Sequence, residues 1–143
     1  MVAGRWQGMS DAHTPAAGQG PAGAGAPQVV CDTAALAATA AARGGALWRL
    51  TEPGRQLDAN LVRIRPGEAV PAHVERDLDV LALVVAGDGT LGTEPAPQPL
   101  TPGSLVWLPH GAARSLTAGV NGMTYLTVHR RRPGMRIQPR PGP

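Results

Sequence analysis

The stretch GEAVPAHVERDLDVLALVVAG, residues 67–87, decides the fold. It opens on Pro66-Gly67, a pair that turns the chain because proline fixes φ and glycine accepts a left-handed backbone. A short run over 70–74 comes next, then a longer one over 78–86, both rich in the aliphatic residues that suit a pleated strand. Residues two apart on a strand point the same way, so His73 and Glu75 face one side, where a carboxylate from the following strand, Asp79, can join them. Gly87-Asp88-Gly89 ends the stretch as a turn. It is not a phosphate loop, because the run after it reads as another strand and not as a helix.

Outward from this stretch the texture repeats. Apolar or alternating runs over 46–50, 59–65, 90–93, 105–108, 113–118 and 123–129 are separated by Pro- and Gly-bearing turns at 52–54, 95–99, 102–103, 109–111 and 120–122. Short strands punctuated every ten residues or so define an all-β sandwich or barrel. Trp48 and Trp107 are expected to pack within it.

Two glycine frameworks stand out: Gly67, His73, Glu75, Asp79 and Gly87, then Gly103, Pro109, Gly111 and Arg114. They resemble the two motifs of the cupin family, in which Gly, His-x-His, Glu and Gly are followed by Gly, Pro, Gly and His. The resemblance implies an all-β, single-domain, cupin-type (jelly-roll) β-barrel, spanning residues 47–137. In metal-binding cupins two histidines and a glutamate of the first motif and a histidine of the second hold the ion. Here His73 keeps its type, Glu75 stands in place of the second histidine, Asp79 is the nearest acid to the glutamate position, and Arg114 replaces the last histidine. Measured back from Gly87, the acid position falls on Val80 instead.

An imidazole and two carboxylates on one face suit a divalent metal such as Zn, Mn or Fe. Arg114 opposes this, since a guanidinium has no lone pair and repels a cation. Placed opposite Glu75 and Asp79, it would supply the positive charge that buried carboxylates require. His73, Glu75 and Arg114 are therefore the candidate ligand-binding residues, and His73, Glu75 and Asp79 the candidate metal ligands. His110 reads as an exposed turn residue. His129 shares parity with Tyr125 and Thr127 but precedes three arginines, a place that is usually solvated.

The flanks read differently. Residues 1–27 alternate Gly, Ala, Pro and Gln and are expected to be a disordered arm. Residues 28–46 hold a short Ala-rich helix, capped by Asp32 or Thr33 and ended by Gly44-Gly45. Residues 138–143 form a flexible basic, Pro-rich tail. Of 143 residues, every basic one is Arg, and Lys and Phe are absent, a bias that reflects codon usage more than function. The lone Cys31 offers no disulfide framework, and neither a secretory signal nor an apolar run of about 18 residues is evident, so the expected setting is soluble and cytoplasmic.

The function expected on these grounds is a barrel that binds a small polar or anionic molecule. The alternative is a metal-dependent cupin enzyme of oxygenase or isomerase type, using His73, Glu75 and Asp79. The resemblance also implies a homodimer. Nucleic-acid binding is the weakest class, because the arginine-rich end lacks aromatic residues for stacking and a helical register for a groove.

Overall fold

A computed structural model describes residues 25–39 and 43–132. The expected disorder of residues 1–24, the tail at 138–143 and the last expected barrel residues, 133–137, lie outside the described residues. Asp32 precedes a short helix, α1 (Thr33–Thr39), and its Oδ1 accepts the Ala35 N–H at 3.1 Å, satisfying one of the amides that a first turn leaves open. No described helix is long and apolar enough to cross a membrane.

Among the described residues seven antiparallel strands follow: β1 (Gly45–Arg49), β2 (Leu57–Ile64), β3 (Ala69–Val74), β4 (Val80–Gly92), β5 (Gln98–Leu100), β6 (Leu105–Leu108) and β7 (Ala113–Arg130). The 18-residue β7 is the spine. Its second half lies between β2 and the start of β4, and its first half between β3 and the end of β4. β6 extends the first half of β4 and β5 the second. The chain thus makes two half-sheets that share β4 and β7, a jelly-roll not closed by hydrogen bonds. Ile64, Ala82, Val84, Val106, Leu108, Met123 and Tyr125 from one half meet Leu91, Leu100 and Ala118 from the other in a common core.

Two expected turns are something else. Gly87-Asp88-Gly89 and Val120-Asn121-Gly122 do not separate strands but lie inside β4 and β7, where the register shifts between Val84 and Ala86 and between Gly87 and Gly89. Gly87 and Gly122 both have positive φ, 74° and 71°. The residues that make a turn also make a bulge, which bends a strand without ending it. The bend carries both long strands from one half-sheet to the other. It also switches the inward residues of β7 from Arg114, Leu116 and Ala118 to Met123, Tyr125, Thr127 and His129. The expected turn at 95–99 likewise includes the start of β5, where Pro99 is tolerated because the strand is an edge.

Candidate functional site

One end of the barrel opens into a cavity of about 220 Å³, more than an apolar void that admits benzene. Its floor is apolar: Val70, Leu78, Val80, Leu108 and Leu116. Its polar wall comes mainly from β3 and β7. His73 faces in from β3, where a register shift between Val70 and His73 sets both on the same side. Arg114, Tyr125, Thr127 and His129 face in from the two halves of β7. Glu75, just after β3, and Arg132, just after β7, stand at the rim.

Both histidines are oriented by backbone carbonyls. His73 Nδ1–H donates to Pro71 at 3.0 Å, and His129 Nδ1–H donates to Arg130 at 2.8 Å. A carbonyl only accepts, so the neutral ring carries its lone pair on Nε2 in each case. Burial pushes the Tyr125 phenol above its ordinary value, keeping it neutral as a hydrogen-bonding group.

Arg114 is 5% exposed, and its Nη1–H donates to the Ala112 carbonyl at 2.9 Å. The same guanidinium lines the cavity, and this bond uses only part of its five-donor fork. The expected pairing of Arg114 with both carboxylates is not what the structure contains. Glu75 is held by the Asp77 N–H at 3.1 Å and by Arg132 Nη2–H, a residue 57 positions away. The Asp77 amide first, then the Arg132 hydrogen bond and charge, and last the charge of Arg114 hold the Glu75 carboxyl below its ordinary value.

Asp79 does not reach the cavity. Leu78 turns inward and is buried, so its neighbour Asp79 turns out, where Oδ1 accepts from the His110 N–H at 2.9 Å and from its ring Nδ1–H at 2.7 Å. The His110 backbone amide, then its ring, lower the Asp79 carboxyl. Val80 lines the cavity instead, as the alignment measured back from Gly87 has it. His110 is exposed, as expected of a turn residue, and also ties that turn to the loop after β3. Beside it, the Gly111 N–H donates to the Glu75 carbonyl at 2.7 Å.

The residues present do not fit a resident divalent metal. His73, Glu75 and Asp79 do not come together, and no group of three His, Cys, Asp or Glu among the described residues is arranged to hold an ion. Two guanidiniums share the cavity with the remaining donors. Sequence reasoning placed His129 and Arg132 in solvent, and both line the cavity. Parity with Tyr125 was the one signal for His129. Trp107, expected to pack inside, is instead 60% exposed on the outer face of β6.

No family model matches the sequence, and no curated protein matches it. Solved structures do. A Cupin 2 conserved barrel domain protein from Salinispora arenicola aligns with a TM-score of 0.53 at 17% identity, over 62% of this chain and 75% of that one. A cupin-2 domain containing protein from Shewanella frigidimarina aligns at 0.50 and 16% identity, over 59% and 80%. A sugar phosphate isomerase of the cupin superfamily from Silicibacter pomeroyi aligns at 0.51 and 25% identity, over 55% of this chain and 53% of that one, so the chain spans about half its length. The barrel has the cupin fold.

Proposed function

We propose that the cavity binds a small anionic molecule, a carboxylate or phosphate monoester with a short apolar portion, and that Arg114 is its principal contact. The observation that carries this reading is a nearly fully buried guanidinium that lines an open cavity with most of its donor fork uncommitted to the described residues. An arginine in a water-poor wall recognises planar anionic groups through paired hydrogen bonds. Arg132 adds a second positive charge at the rim. Tyr125 and Thr127 add hydroxyls, and the aliphatic floor suits a short carbon skeleton. The likeness to a sugar phosphate isomerase supports including phosphate monoesters in the class.

Calorimetric titration of the untagged chain with a panel of small carboxylates and phosphate monoesters tests this. At least one class should bind, and Arg114→Met should weaken it by roughly ten- to a hundredfold, the value of a charged hydrogen bond. Binding that Arg114→Met leaves unchanged overturns the reading. A stoichiometric divalent metal in chelator-free protein, lost in His73→Ala, would replace it with a metal-dependent cupin enzyme.

A further inference from the structure

Anion binding leaves two imidazoles of the cavity unused. His73 comes from β3 and His129 from the second half of β7, so one stands on each half-sheet and both reach the same cavity. Each commits its Nδ1–H to a main-chain carbonyl, of Pro71 and of Arg130, and leaves Nε2 uncommitted among the described residues. The carbonyl accepts that hydrogen bond whether the ring is neutral or charged, so either ring takes up or gives off a proton at Nε2 without turning. Arg114 is the cross-strand partner of His73, which sets their β-carbons about 5 Å apart on one face. Along β7, Tyr125 lies nearest the bend at Gly122, and Arg114 and His129 lie toward the far ends of its two arms. Burial raises the Tyr125 pKa, so its hydroxyl keeps its proton and donates.

We propose that these groups catalyse keto–enol exchange of a short 2-oxo acid: Arg114 grips the carboxylate, Tyr125 donates to the oxo oxygen, and His73 and His129 serve the two faces of the carbon beyond it. The inference rests on the reading that the cavity binds an anion through Arg114. A ketone acidifies the C–H beside it far more than a carboxylate alone does, so the anion that uses all four groups carries an oxo group next to its carboxylate. One imidazole, neutral at Nε2, takes a proton from that carbon. The C–H electron pair becomes the carbon–carbon double bond of the enolate, and the carbonyl π pair moves onto the oxygen that Tyr125 hydrogen-bonds. The resulting imidazolium returns a proton to the same face, or the other ring, protonated at Nε2, delivers one to the opposite face, and the double bond collapses back to the ketone. His73 is exposed and the cavity is open, so both rings exchange their protons with water and no further reactant is needed.

Proton NMR of 2-oxobutanoate with the full chain, in heavy water containing a chelator, tests it, with calorimetric titration of the same compound alongside. The methylene signal should decay about a hundredfold faster than in protein-free buffer, the contribution of a positioned acid–base group, and should vanish because both hydrogens exchange. His73→Gln and His129→Gln should each still bind the compound but halt at the singly deuterated product, since only one face is then served. Tyr125→Phe should bind it too and slow both exchanges alike by roughly ten- to a hundredfold, the value of a hydrogen bond to a charged oxygen. Binding without exchange above the protein-free rate overturns the proposal and leaves anion binding standing. So does failure of 2-oxobutanoate to bind while other carboxylates do, whereas a cavity that takes no anion at all overturns both. Exchange that survives loss of both histidines, or that the chelator abolishes, belongs to other groups and overturns the proposal as well.

Discussion

The β-carbon that Gly87 lacks would lie 2.0 Å from the carbonyl oxygen of Gly122, closer than any side chain can come to a backbone atom. The two glycines let β4 and β7 bend together in direct contact, and the bend aligns Arg114 on one half-sheet with Tyr125 and His129 on the other. Gly87→Ala should therefore cost about 3 kcal/mol or more, because a left-handed backbone and a backbone clash are both imposed. Gly67 has a similar φ of 72° but open space around it, so Gly67→Ala should cost only about 1 kcal/mol. Urea denaturation distinguishes the two. Equal losses would mean that backbone conformation alone sets the penalty.

Arg114 separates binding from stability. With Glu75 held by Arg132 and Asp79 held by His110, removing Arg114 strands neither carboxylate. Arg114→Met, which keeps the volume, should stay within about 1 kcal/mol of the parent in chemical denaturation while anion affinity falls. A loss of several kcal/mol would show that the guanidinium is structural.

Among the described residues Glu75 is the sole acid lining the cavity, and it engages Arg132. Neutralising it should raise the affinity for an anion severalfold, since one repelling charge is lost and one attracting charge is released. Titration of Glu75→Gln with the ligand found for the parent checks this. Weaker binding would place Glu75 among the direct contacts.

The tie between Asp79 and His110 gives a signed pH dependence. Folding lowers the Asp79 pKa, so its stabilising contribution is complete above the ordinary carboxylate value and is lost as pH falls through the lower folded value. Melting temperatures of the parent and of Asp79→Asn should differ most near neutrality and converge between about pH 4 and about pH 2. A gap that persists at the acid end would assign the effect to geometry and not to charge.

Much of the strand order was legible because turns announce themselves through Gly and Pro, and because alternation marks half-buried strands. The bends at Gly87 and Gly122 were not, since a bulge and a turn draw on the same residues and only pairing tells them apart. In the site, His73 and Glu75 were placed on one side by their i, i+2 spacing, and the structure sets both on the cavity. Asp79 was the residue nearest the expected acid position, yet one residue of slippage on a strand reverses the side, and Val80 took the inward place. His129 was judged by its charged neighbours when parity was the better guide. Arg132 left no sequence trace, because its contact with Glu75 spans 57 positions and depends on where two loops end.

The rim of the cavity is held unevenly, and this bears on kinetics. On one side the loop after β3 and the turn after β6 are joined by three hydrogen bonds, two from His110 to Asp79 and one from Gly111 to Glu75. On the other side one ion pair among the described residues, Glu75 with Arg132, spans the gap. A guest molecule should come and go past the weaker side, so the rate at which that pair opens would govern residence time. Salt screens an exposed pair, so raising ionic strength should speed exchange as well as weaken affinity. Stopped-flow release measured against salt would show both, and Arg132→Ala would remove the part of the rate that depends on this pair.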